Sequence, residues 1–293
     1  MQLPGLSVRN SGYFRILCFL KGFTMFALFI LASGYETLAQ GNLLMLPRRV
    51  IFEGNLKAQE ITLANTGNDT AKYQVSIVQM RMNEDGSFKV LSTPDEGQFF
   101  ADKYLRFYPR TVTLAPKKSH IIKMQFVKSA QMEPGEYRSH IYFRSISKSK
   151  PLGENEVQKD SAAVSAKLVP VFGLTIPVII RIGESTASVK LIDLSLEMVK
   201  DTLPKFRLTF KRSGNFSVYG DLLVTHVSPQ GKSTKVAAVK GIAVYTPNLI
   251  RRFSCNLERN PDIDYKSGKL HVVFTTPVDT KPKKLAEADF SLE

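Results

Sequence analysis

Cysteine is almost missing from this chain: Cys18 and Cys255 are the only two in 293 residues. Cys18 has no small-residue context behind it, which argues against a lipid anchor. Cys255, within Arg-Phe-Ser-Cys-Asn-Leu, alternates with polar residues and reads as a small buried hydrophobe. Local catalytic signatures are missing too. There is no glycine-rich phosphate loop, nucleophile elbow or HExxH motif. His120, His140, His226 and His271 are scattered, and none sits at metal-ligand spacing from another His, Cys or carboxylate. Triads assemble from distant positions and are not legible in this way, but the pattern favours binding over catalysis. No enzyme activity, cofactor or metal is expected. The chain is basic, with 40 Lys and Arg against 26 Asp and Glu, yet the charges are spread along it. The one compact group is Lys281-Pro282-Lys283-Lys284 in a polar turn. Without aromatic-interleaved basic motifs or a helix-turn-helix pattern, nucleic acid is not an expected partner; spread charge suits solubility or the steering of acidic partners.

The N-terminus carries an address. Arg9, Arg15 and Lys21 precede an apolar run from Phe23 to Ala32, and small or polar residues follow to Ala39. That order is a secretory signal peptide over residues 1–39, with Thr37-Leu38-Ala39 as the cleavage site. The run is short of the roughly 20 residues a spanning helix needs, so no stable membrane insertion is expected. Removing three basic residues and one acid (Glu36) takes the formal net charge from +14 to +12. Cys255 is then the only cysteine, an internal disulfide is impossible, and the core must carry stability by itself.

Strand patterning fills the rest. Apolar or alternating runs recur at Leu43–Phe52, Glu60–Asn65, Tyr73–Met80, Thr111–Leu114, Ile121–Val127 and Tyr137–Ile146, separated by turns such as Asn65-Thr66-Gly67-Asn68-Asp69 and Glu133-Pro134-Gly135. A second set runs through Val189–Leu194, Lys205–Lys211, Gly220–His226, Lys235–Val239, Arg252–Leu257 and Gly268–Phe274. Leu191–Leu203 is ambiguous and has room for a turn of helix. The expected fold is all-β, two immunoglobulin-like antiparallel β-sandwich domains in tandem. The division falls near Gly183-Glu184-Ser185, giving domains over 40–183 and 184–293.

One segment stands apart. Lys167–Ile182 (KLVPVFGLTIPVIIRI) holds ten aliphatic or aromatic residues in sixteen positions. Fully extended it would run roughly 50 Å. The polar segment Ser145–Ser161 before it reads as a loop. A long apolar strand behind such a loop is either a buried core strand or an edge built to pair with another chain.

Several segments together resemble the periplasmic pilus chaperones, the PapD-like class. Arg49-Val50-Ile51-Phe52-Glu53-Gly54 followed by Glu60–Gly67 is similar to the family's first two strands. Tyr108–Pro116, Tyr137–Phe143 and Ile176-Pro177-Val178-Ile179-Ile180-Arg181 are similar to later strands in the same order. In the second half, Arg212-Ser213-Gly214-Asn215 and Tyr245-Thr246-Pro247 are similar to family turns.

The resemblance implies a mechanism. Pilus subunits lack their last strand, and the chaperone lends them an edge strand, a mode known as donor-strand complementation. Here the lending strand would be 167–182, with Leu168, Pro170, Phe172 and Leu174 entering the subunit and Val169 and Val171 facing the protein's own core. The partners so implied are exported pilin-like subunits and an outer-membrane usher, and the location is the periplasm. In the family an arginine and a lysine in the interdomain cleft hold the subunit's C-terminal carboxylate. The arginine maps onto Arg49, which otherwise would pair with a nearby acid such as Glu53. The lysine maps onto Pro177, which binds no carboxylate; Lys167, Lys123 or Arg48 are candidate replacements. A family glutamate maps onto Arg138, with Glu136 close enough to substitute, and Arg181 matches an arginine expected at the interdomain contact. The alternative is a structural or adhesive two-domain sandwich of the cell envelope with no client.

Overall fold

The computed structural model describes residues 43–146, 171–200, 203–277 and 281–292. Residues 1–39, the expected signal peptide, and Lys167, Leu168, Val169 and Pro170 lie outside the described residues. In chain order the first strands are β1 (Leu43–Leu46), β2 (Val50–Phe52), β3 (Ala58–Asn65), β4 (Ala71–Met82) and β5 (Phe88–Leu91). Next come β6 (Leu105–Tyr108), β7 (Thr111–Leu114), β8 (Ser119–Phe126), β9 (Gly135–Ile146) and β10 (Gly173–Ile182). The second group is β11 (Ser188–Val199), β12 (Leu203–Ser213), β13 (Val218–Val227) and β14 (Ser233–Val244). It ends with β15 (Ile250–Asn256), β16 (Gly268–Thr275) and β17 (Lys284–Leu292).

These strands make two β-sandwiches. In the first, a sheet ordered β1-β3-β8-β6 faces one ordered β2-β10-β9-β4-β5, with β7 also paired to β4. Their inner faces share one core, with Ile61, Ile122 and Met124 on one side and Ile141, Phe143 and Val178 on the other. In the second, β11-β12-β15 faces β14-β13-β16-β17, around Phe206, Phe210, Val224 and Phe274. Phe143 and Phe210 are fully buried, so truncating either to Ala costs about 3–5 kcal/mol. The alternation behind these cores is the one legible in the sequence: β8 and β13 bury every second side chain. Turn chemistry agrees with it. The Asn65 amide donates to the carbonyls of Asp69 (2.7 Å) and Leu114 (3.1 Å), tying two turns together.

Three readings change. The single run Leu43–Phe52 is two strands in different sheets, β1 on β3 and β2 on β10, because Pro47 between them offers no N–H to a ladder. Among its described residues Leu191–Leu203 contains no helix: β11 runs to Val199 through a bulge after Ile192, with Asp193 at φ 52°. Strands β5, β6 and β17 had no sequence-based counterpart; β17 pairs with β16 immediately after the basic turn at 281–284. Cys255 is half-buried against the second core, and burial raises its thiol pKa.

Candidate binding edge and cleft

β10 is bound differently along its length. On one side it pairs with β9 throughout, from Gly173 opposite Arg144 to Ile182 opposite Gly135. The ladder extends to Phe172, whose carbonyl accepts from the Ser145 N–H at 2.8 Å. On its other side β2 covers only Val178–Ile180, in parallel register. Among the described residues, then, Gly173–Pro177 meets no strand on that side.

The side chains of this open segment follow the strand period. Ile176, Val178 and Ile180 point into the first core, and Leu174 lies opposite Phe143, a core residue. Phe172 and Leu174 therefore share the core-side face, but they lie beyond its cover, at 45% and 41% exposure. Val171 was expected to face the core and does not: it is 49% exposed and falls on the opposite face. The reason is the register itself, since the even-numbered positions point inward. On the outer face the Tyr142 ring lies over Gly173, where a Cβ would fall 2.4 Å from it unless the ring moved.

At the closed end of the open segment, where the sandwiches meet, two arginines pack on tyrosine rings. Val50 pairs with Val178, so one step back the register sets Arg49 abreast of Pro177. The Arg49 guanidinium does not pair with Glu53, which instead contacts Arg181 at 3.5 Å. It stacks on Tyr219 of the second sandwich, 3.8 Å from the ring centroid, with Tyr245 at 5.7 Å. Its Nε and Nη2 are buried and have no hydrogen-bond partner among the described residues. Arg138 stacks on Tyr245 at 4.4 Å and donates to the Thr246 carbonyl at 3.1 Å. Its Nε and Nη1 are likewise buried, without a partner among the described residues. Desolvation lowers the Arg138 pKa, and it lowers that of His140 to about 3, with the Arg138 charge adding to the effect. Burial raises the Tyr245 phenol against the pull of Arg49 and Arg138.

A carboxylate hub lies beside these rings. Glu136, buried, accepts from the Ser217 N–H at 2.9 Å and from the Ser217 hydroxyl. Arg181 reaches Glu136 at 3.2 Å and donates to the Ser217 carbonyl at 3.0 Å. Arg212 joins the two family-like turns, donating to the carbonyls of Asn248 (2.8 Å) and Phe216 (2.9 Å). A small apolar cluster of Met82, Ile179, Ala243 and Tyr245 completes the junction.

No family model matches the chain, and no curated protein matches it. Among solved structures it is similar to fimbrial and pilus chaperones. The YadV chaperone is 13% identical at a TM-score of 0.42, over 86% of this chain and 100% of that one. The chaperone–tip adhesin complex CsuC–CsuE of Acinetobacter baumannii is 12% identical at 0.41, over 83% and 98%. The SafA pilin–SafB chaperone complex of Salmonella enterica is 12% identical at 0.40, over 87% and 99%. Likeness of this degree does not extend to what this chain binds.

Of the sequence-predicted site residues, the structure groups Arg49 and Arg181 at the junction and sets Phe172 and Leu174 on the open edge. Lys123 and Arg48, candidate replacements for the lysine, contribute none of the buried unpartnered donors. Tyr219 and Tyr245, the ring walls of the cleft, were missed. Tyr245 was visible only as part of a proline turn, and nothing in the sequence marks which tyrosine an arginine on another sandwich will stack upon.

Proposed function

We propose that this protein is a periplasmic chaperone for exported pilin-like subunits, lending its long 167–182 edge strand to an incomplete sandwich by donor-strand complementation. The observation that carries the reading is the half-paired strand: Gly173–Pro177 bonds β9 on one side and, among the described residues, nothing on the other. Unpaired ladder groups beside exposed apolar side chains are what an extended partner strand satisfies. Phe172 and Leu174 supply the apolar contacts, with Leu168 and Pro170 continuing them. Arg49 stands at the closed end of the same edge, where a client chain terminating there would place its carboxylate. Arg181 holds the interdomain contact through Glu136 rather than touching the client. In this reading residues 1–39 are a cleaved signal peptide, 40–183 and 184–293 are the two domains, and an outer-membrane usher receives the loaded complex.

The test is copurification of the tagged protein from the periplasm, with mass spectrometry of what accompanies it. The expected result is a 1:1 complex with an exported subunit that is degraded when the chaperone is absent. If Phe172→Asp and Arg49→Ala both leave client levels unchanged, strand donation is wrong.

A further inference from the structure

A glycine inside a strand weakens it and leaves no side chain to pack, yet Gly173 lies within the open edge, between two well-held stretches. Phe172 before it is clasped by Ser145, whose N–H reaches the Phe172 carbonyl at 2.8 Å and whose hydroxyl accepts the Phe172 N–H at 3.0 Å. Ile176 after it is buried in the first core. Because the Phe172 carbonyl points to β9, alternation along an antiparallel ladder turns the N–H and C=O of Gly173 and Thr175 the other way, toward the side that no described strand covers. A partner strand pairing there must find Gly173 extended. The outer face supplies what the glycine lacks. Tyr142 is paired with Thr175, so Gly173 is its diagonal neighbour, within reach of an aromatic side chain. The ring crosses to Gly173 and fills the place of a side chain: its Cε2 and hydroxyl oxygen both lie 2.4 Å from where a Cβ would be. An aromatic ring laid over a cross-strand glycine holds such an edge in place.

We propose that Tyr142 is a positioning residue for the open edge: its ring stands in for the missing side chain of Gly173 and keeps Phe172–Thr175 extended before any partner arrives. The inference rests on the strand-lending reading for its use and deepens it by naming what pre-organises the lent segment. Ordering a free backbone costs entropy residue by residue, and a segment already ordered in the free protein spares its partner that cost. Glycine has the most backbone freedom to lose, so the saving is largest at Gly173. The pairing also accounts for the glycine itself, since any side chain at that position would have to displace the ring. Tyr142 acts through Gly173 and touches no client.

The experiment is amide hydrogen exchange, read by NMR on the purified chain. The Ser145 amide, bonded to Phe172, and the Leu174 amide, which the same alternation turns to β9, report on the open end. The Ile180 amide, deep in the same strand, is the control. Tyr142→Val keeps a strand-favouring side chain that cannot reach Gly173. In it, exchange at Ser145 and Leu174 is expected to speed about three- to fivefold, with Ile180 and the urea midpoint unchanged. Tyr142→Phe keeps the parent rates. Adding Gly173→Thr to Tyr142→Val restores protection, whereas Gly173→Thr alone, which must push the ring aside, gives no gain; that non-additivity is the signature of the pair. Tyr142→Leu serves if the valine variant misfolds. Parent rates at Ser145 and Leu174 in the variant overturn the proposal, as does an equal acceleration at Ile180.

A second arm measures binding of a ten-residue peptide of alternating Val and Thr, a readout that a ring merely covering β9 would not move. Tyr142→Val is expected to bind it about three- to fivefold more weakly than the parent, and Tyr142→Phe to bind it equally. Equal affinity in the parent and Tyr142→Val overturns Tyr142 as a positioning residue, whatever the exchange rates show. Exchange that responds as expected, with no peptide bound by the parent, upholds the ring on the glycine and overturns strand lending.

Discussion

Glu136 of β9 accepts a hydrogen bond from the backbone N–H of Ser217, 2.9 Å away on the other sandwich. A carboxylate grown on the first sheet pair thus satisfies a donor of the second, and Arg181 neutralises it at 3.2 Å. The junction is a buried, paired and hydrogen-bonded charge rather than a flexible tether.

Glu136→Ala leaves Arg181 and the Ser217 N–H without their acceptor. Removing one member of a buried pair costs about 3–5 kcal/mol, read as a lowered urea midpoint. Glu136→Gln, which keeps an acceptor but loses the charge, is expected to lose less. An alanine variant of unchanged midpoint would remove the hub from the stability argument.

Phe172→Asp is expected to leave stability within about 0.5 kcal/mol of the parent, as for exposed positions generally, because the side chain is 45% exposed. The same change places a charge where a client's apolar groove would close. Thermal melts and client copurification measured on one preparation separate the two effects.

Arg49→Met separates binding from folding in the opposite sense. It removes two buried unpartnered donors while keeping an apolar stem against Tyr219. Stability is expected to hold or rise by about 1 kcal/mol, while client capture falls at least about tenfold. A variant that unfolds would mean that Arg49 serves the junction alone.

His140 makes a pH prediction with a definite sign. Burial, with Arg138 adding to it, holds its folded pKa at about 3 against an ordinary 6.5. The unfolded chain binds the proton more tightly, so this contribution is complete above about pH 6.5 and is lost as pH falls from there toward 3. At pH 5 the loss is about 2 kcal/mol. Urea titrations at pH 7 and pH 5 should show this difference in the parent and not in His140→Phe.

Much of the architecture was legible from period-two alternation and turn residues, because a sheet with one buried face imposes that alternation locally. Tyr73–Met80 lies on β4, and Ile121–Val127 lies on β8 but for its last residue, for this reason. Strands β5, β6 and β17 were not legible, since none of Phe88–Leu91, Leu105–Tyr108 and Lys284–Leu292 stands out as a clear apolar alternation in the sequence. The open edge was half legible: its length and apolarity were visible, but its direction was not. Whether Val171 or Phe172 faces inward depends on the register against β9, and a shift of one residue exchanges the faces.

The sequence by itself determined that this is a strand-rich, cysteine-poor chain with an apolar segment too long for an ordinary strand, because those properties follow from residue types and their local order. Only the tertiary structure decided that β2 stops covering β10 at Val178, and that Arg49 and Arg138, 89 residues apart in the chain, share the Tyr245 ring. Register and desolvation are properties of packed neighbours, and a charge becomes a binding site only when packing removes both its water and its partners.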